Sequence, residues 1–357
     1  MATVTADRML LGTRKGLFDV RRQGRTWRTG EPRLKGQPVP YAVRDPRDGS
    51  VWASIDHGHW GSKLSRSTDD GATFQEVAPP KYPAETGKTA RYYWVLQPGH
   101  RSEPNVFWVG TEPGGLFKTS DQGKSWTLVQ GLWDLCVKDE WTGGGRDEPG
   151  IHSILIDPKD PRRMVVAVSC AGVVETRDGG ATWSYRNEGM KAVTDEASKQ
   201  EYGHDPHCLA MCAAAPNVIW QANHVGVYRS TDGAGSWKDL TRKPYVHFGF
   251  PVAVHPRKPD VAWVVPMDGD GARMAVNGSL VVMRTQDGGA SWAEQRAGLP
   301  QADAWDFPFR HGLDASRDGT TLAFGTSSGN VYVSPNGGTS WRAIAHNLPI
   351  VYSLRFA

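Results

Sequence analysis

Ser67-Thr68-Asp69-Asp70-Gly71-Ala72-Thr73-Phe74 is the first of six copies of one phrase, Ser/Thr-x-Asp-x-Gly-x-Thr/Ser-Trp/Phe. The others run Thr119–Trp126, Thr176–Trp183, Ser230–Trp237, Thr285–Trp292 and Ser334–Trp341. They return about every fifty residues, and a period of that size marks a repeat architecture whose units bury their apolar faces against one another. Two copies are worn: Ala234 stands for the glycine and Asn336 for the aspartate.

Each phrase sits in a recurring unit. In the third, Ser153–Ile156 reads as a short apolar strand, Asp157–Pro161 as a turn, and Met164–Val168 as a strand buried on both faces. Gly172–Thr176 is a third strand, and Asp178–Trp183 turns the chain into a fourth. Four short antiparallel strands per unit make a propeller blade. The aspartate can accept bonds from turn amides, the glycine supplies a left-handed backbone, and the aromatic packs between sheets. The phrase is therefore a device of the fold, not of catalysis.

Six phrases give six blades, and a seventh is split. Leu10–Thr13 and Gly16–Val20 read as its second and third strands, and Gly24–Trp27 as a remnant turn and fourth strand. Its inner strand lies at the other end of the chain, Val351–Phe356. Joining the two ends in one blade removes the open sheet edge. The expected fold is all-β: one seven-bladed propeller domain over residues 1–357. The single helical candidate is Thr194–Glu201, inside a loop.

Composition narrows the class. The 357 residues include 15 Trp, 41 Gly and 24 Pro, which suits many short strands and tight turns. The net charge is +3, with basic and acidic residues interleaved, so neither a nucleic-acid nor an anionic-membrane partner is expected. Met1–Arg8 lacks the basic and apolar regions of a secretion signal, and no apolar run is long enough to span a membrane. Four cysteines without a CxxC pair suit free thiols. Together these predict a cytoplasmic location.

The six phrases and the split blade resemble the Asp-box, or BNR-repeat, β-propellers along essentially the whole chain. That superfamily includes sialidases, glucan-processing glycoside hydrolases, sortilin-type receptors and a photosystem assembly factor. The resemblance implies the fold and leaves the function open, because one fold hosts enzymes, receptors and scaffolds. The sialidase motif Arg-Ile-Pro is absent. The matching stretch is Val39–Pro46, with Arg44 at a turn on the phrase-bearing face. True sialidase activity is not expected.

Topology sorts the histidines. Inner-strand starts and the loops between second and third strands share the face opposite the repeated turns. His152, His207 and His311 open inner strands on that face, while His57, His59 and His224 occupy its loops. His100, His255 and His346 fall elsewhere and are expected to be solvated. His204 and His247, just before inner strands, are candidate supports. Imidazoles converging from several strands can hold zinc, manganese or iron with room left for substrate. His57, His59, His152, His207, His224 and His311 are accordingly the candidate metal ligands, with Asp56, Asp205 and Glu112 as orienting acceptors.

Arg14, Arg310 and Glu112 are the candidate catalytic and substrate-contacting groups. Without metal, histidine acid/base chemistry with the two arginines holding an anion is equally open. Of carboxylate pairs for glycoside hydrolysis, Glu112 with Asp147 or Glu148 is the one to test. Two polar stretches, 131–150 and 187–206, are expected to wall the site as loops. The expected ligand is a small polar, anionic or saccharide-like molecule, acted on by a hydrolase or lyase. The alternative is a non-catalytic scaffold docking a small protein or peptide. No dinucleotide or phosphate-loop fingerprint is present.

Overall fold

The computed structural model describes residues 6–144 and 146–357. Its strands form seven four-stranded antiparallel sheets in a ring, a β-propeller. Blade 1 runs from the inner strand Ala42–Arg44 through Val51–His57 and Gly61–Ser67 to Gln75–Val77. Inner strands Tyr92–Pro98, Ile151–Ile156, Pro206–Met211, Val252–Val254 and Leu313–Ala315 open blades 2 to 6. Blade 7 is the split one: Val351–Phe356 pairs with Arg8–Thr13, which leads to Gly16–Gln23 and Thr26–Thr29. Pairing the two ends of the chain in one blade closes the ring, which leaves only short edges inside it.

The repeated turns work as local hydrogen-bond cages. Asp69 accepts bonds from the Thr73 amide at 2.8 Å, the Thr73 hydroxyl at 2.6 Å and the Ser67 hydroxyl at 2.7 Å. Both worn copies keep the geometry. Asn336 accepts from the Ser334 hydroxyl and the Ser340 amide. Ala234 holds a left-handed φ of 73° where its counterparts have glycine.

Tryptophans on second strands wedge the blades together. Trp52, Trp108, Trp220 and Trp263 are almost fully buried. Each lies beneath a cation from the neighbouring third strand: Arg66, Lys118, Arg229 and Arg284 respectively. The Trp220 and Trp263 indoles donate to Pro259 and Gly337 of the next blade. Such stacks cover aromatic faces while leaving the charge near water.

Two local readings change. The stretch 131–150 is not all loop: Gln130–Lys138 is an α-helix that buries Leu132, Trp133 and Cys136. Thr194–Glu201 contains only a 3-10 turn, Ala197–Lys199. The apolar side of the first segment finds a partner in Tyr82 of the preceding connection, whereas Ala197–Lys199 buries nothing. Tertiary packing decides helices this short.

Candidate functional site

The mouth opposite the repeated turns is shaped by β-bulges. Four inner strands skip one residue in pairing with their second strands: Trp94, His152, His207 and Tyr352. A bulge bends the strand and re-aims the extra side chain. The same irregularity in blades 2, 3, 4 and 7 thus sets an aromatic or imidazole ring at each of four points around the channel. Phe250, Phe307 and Phe309 complete a collar, with centroid spacings of 6.1 Å, 5.0 Å and then 5.8 Å to Tyr352.

Arg310 lies between two of these rings. Its guanidinium carbon is 5.2 Å from the Trp94 centroid and 5.2 Å from that of Phe250. The side chain is half-buried, and among the described residues no carboxylate stands within 4.0 Å of it. Burial works against its charge, with Asp205 the nearest compensating influence. Arg146 stacks on Tyr92 at 4.6 Å and Trp94 at 5.8 Å, and it is ion-paired with the buried Glu112.

Two carboxyls share this side. Burial raises the pKa of Glu112 against the pull of Arg146, and burial raises that of Asp56, again against Arg146. Both also act on Tyr92. Of the partners considered from sequence, Glu148 pairs with Lys88 and Arg91 and bears on Glu112 as a like charge, whereas Asp147 is exposed. Asp56, expected to orient imidazoles, is a further carboxyl within reach of the Arg146 charge.

The six candidate histidines do not make one ligand set. His57 and His59 stay on the rim around exposed Trp60, with His57 Nδ1 accepting the Trp60 amide at 3.2 Å. His152 and His311 sit in the throat, both buried, with His311 Nε2 donating to the His152 carbonyl at 2.8 Å. Burial, then Arg355, takes His311 down to about 3, and burial with Arg310 and His311 lowers His152 well below the usual range. These rings are neutral at ordinary pH.

His207 and His224 meet on the wall. Both face Asp205 Oδ2, at 3.6 Å from His207 Nε2 and 3.4 Å from His224 Nδ1. Among the described residues this is the one group whose ligating atoms gather within 4.8 Å. Burial lowers His207, and the carboxylate bond raises His224. Asp205, expected to support other ligands, is a full member.

The remaining candidates lie outside these groups. Arg14 is exposed, its amide bonded to the Ile350 carbonyl, and its charge reaches Tyr352. His255, expected to be solvated, is buried and stacked near Trp263. His100 bonds to Ser102 and to the Pro158 carbonyl. His346 is exposed, as expected. His247 bonds to the Asp268 carbonyl and supports no ring of the wall group. Arg44 pairs with Asp70 on the phrase-bearing face, away from the mouth.

No family model matches the sequence. The chain is 25% identical over 318 residues to a probable oligoxyloglucan-reducing end-specific xyloglucanase of Neosartorya fischeri, covering 80% of this chain and 36% of that protein. It is 24% identical over 300 residues to a xyloglucanase of a Paenibacillus species, covering 76% and 27%. The GH74 xyloglucanase of Xanthomonas campestris superposes with a TM-score of 0.69 at 18% identity, over 96% of this chain and 53% of that one. The chain spans about a third of the length of these curated relatives. The likeness to the solved structure shows the fold.

Proposed function

We propose that this propeller is a hydrolase for a saccharide carrying an acidic group, bound in the aromatic mouth. The observation that carries this reading is Arg310, a guanidinium stacked between Trp94 and Phe250 with no carboxylate partner among the described residues. Aromatic faces suit the apolar faces of sugar rings, and an open guanidinium suits a carboxylate in bidentate fashion. Similarity to xyloglucanases supports the saccharide class. Arg14 contacts the ligand from the closing blade, beside Tyr352.

Chemistry falls to the two carboxyls. Asp56, with its raised pKa and no ion pair, is the proton donor; Glu112, held by Arg146, is the carboxylate. Asp56 gives its proton to the glycosidic oxygen as the bond from that oxygen to the anomeric carbon breaks. A water oxygen bonds to the anomeric carbon, and Glu112 takes the water's proton. Transfer of one proton from Glu112 to Asp56 through solvent restores the site. The turn signature supports an Asp-box propeller, and the four free thiols support a reducing, cytoplasmic setting.

The test is reducing-end release from uronate-bearing and neutral oligosaccharides, xyloglucan fragments included. Hydrolysis of an acidic member, lost in Glu112→Gln and in Asp56→Asn, is the expected result. No hydrolysis across the panel, or full activity in both variants, overturns the proposal.

A second reading has one observation in its favour. Trp60 and Trp305, 68% and 60% exposed, both lie in loops on the mouth face. A scaffold that docks a small protein or peptide would use such a rim. Partner capture would then fail in Trp60→Ala and survive in Glu112→Gln.

A further inference from the structure

We propose that Asp205, His207 and His224 form a binding site for one divalent transition-metal ion of the zinc class, set in the wall of the mouth. His207 Nδ1 lies 2.9 Å from the Gly249 carbonyl oxygen. A carbonyl can only accept, so Nδ1 is the protonated nitrogen that holds the ring, and Nε2 is the nitrogen turned toward Asp205. It faces Asp205 Oδ2 at 3.6 Å.

The spacing sharpens the point. His224 Nδ1 stands 3.4 Å from the same carboxylate oxygen. Both separations are too long for good hydrogen bonds. They match ligand–ligand edges around a metal: four-coordinate bonds of about 2.1 Å put neighbouring ligand atoms about 3.4 Å apart. All three ligating atoms lie within 4.8 Å of one another. Two imidazole nitrogens and one carboxylate oxygen are an ordinary donor set for such an ion, leaving further positions open.

The surroundings orient the ligands as metal sites require. The Gly249 carbonyl fixes His207, and the Cys170 amide donates to the other Asp205 oxygen at 3.2 Å. The His224 amide donates to the Asp205 carbonyl, tying the loop to the strand start. Gly144 folds over the carboxylate, where a Cβ would stand 3.6 Å from both of its oxygens. The Asp205 and His207 side chains are 7% and 2% exposed while His224 is 26% exposed, so the open coordination positions face the mouth. The inference deepens the proposed function in one respect: the ion would share an anionic ligand with Arg310. Metal binding itself does not depend on that reading.

The experiment is calorimetric titration with Zn2+, with Mn2+ and Fe2+ as further arms, on full-length protein purified without a polyhistidine tag and stripped of metal. Uptake of one ion per chain is expected. Affinity should fall by about tenfold or more in His224→Ala and in Asp205→Asn, since even residues behind the ligands are worth that much. His57→Ala, on the rim, should bind as the parent does. His224 lies in a half-exposed loop, so its variant should fold, and thermal melting verifies this. No uptake of any of the three ions, or unchanged uptake in both folded variants, overturns the site. A chain that binds zinc and hydrolyses nothing keeps this site and loses the proposed function. A hydrolase that takes up no metal does the reverse.

Discussion

Arg310 and Trp94 meet across the mouth from blades 6 and 2, guanidinium over indole at 5.2 Å. Neither element is near the other in the chain. The contact exists because the bulge at Trp94 turns that ring into the channel and because Arg310 immediately precedes buried His311 at the throat. The pair makes a half-buried cation supported by aromatic faces instead of a counter-ion, an arrangement suited to receiving an anion.

Removing the indole should therefore weaken ligand binding without unfolding the ring. In Trp94→Ala, affinity for an acidic oligosaccharide should fall by about five- to thirtyfold, the loss of one aromatic contact with its cation. His57→Ala, on the rim, should bind normally. Equal affinity in Trp94→Ala and parent would remove the collar from the binding site.

The buried ion cluster of blade 3 is a separate test of the fold. Arg163 binds Glu175 and Asp157, each at 2.8 Å, and donates to the Gly233 carbonyl in the turn of blade 4. Arg163→Met leaves Asp157 and part of Glu175 uncompensated in the interior. A destabilisation of about 3 kcal/mol is expected in urea unfolding, since removing one partner strands a buried charge. A change near zero would mean that Arg177 and Arg186 suffice for Glu175.

The repeated turns set the acid limit. Bonds from the Thr182 hydroxyl and amide take Asp178 down to about 2, and those from Ser291 do the same for Asp287. A carboxylate depressed in the fold stabilises it above its unfolded pKa, and that stabilisation is lost as pH falls through the folded value. The urea midpoint should therefore fall steeply between about pH 4 and pH 2. The double variant Asp178→Asn, Asp287→Asn should flatten the slope, since Asn336 shows that an amide fits this turn. An unchanged slope would assign acid unfolding to other groups.

Gly110 tests the seam between blades 2 and 3. A Cβ there would come within 2.5 Å of the Ile151 carbonyl oxygen and 2.6 Å of the Ile151 Cγ2. Gly110→Ala should cost about 1–3 kcal/mol, the usual penalty of overpacking. A neutral substitution would show that the blades can part at this point.

The ring was legible because its signals are local. Each turn phrase announces itself, and Asn336 and Ala234 could be read through their wear. The split blade followed from counting strands. The mouth histidines were assigned to the correct face, since strand direction alone decides that for His152, His207 and His311. What strand alternation hides is a bulge: one extra residue at Trp94 or His207 leaves no mark in a run of apolar residues. Pairings far apart in the chain, such as Arg310 with Trp94, and contacts from a long connection, such as Arg146 with Glu112, have no sequence signature at all. His57 and His59, expected among the ligands, lie beside Trp60. The helix Gln130–Lys138 begins at Val129, without a side-chain cap, and is held by packing that only the fold supplies.

The most direct measurement of the central claim is a calorimetric comparison of one acidic oligosaccharide with its carboxyl-reduced, neutral form, on the parent and on Arg310→Gln. The parent should prefer the acidic form by about tenfold or more, the worth of a charge-assisted bond pair, and Arg310→Gln should bind the two alike. A preference that survives in Arg310→Gln, or no preference in the parent, would contradict the assignment of the mouth as an acidic-saccharide site.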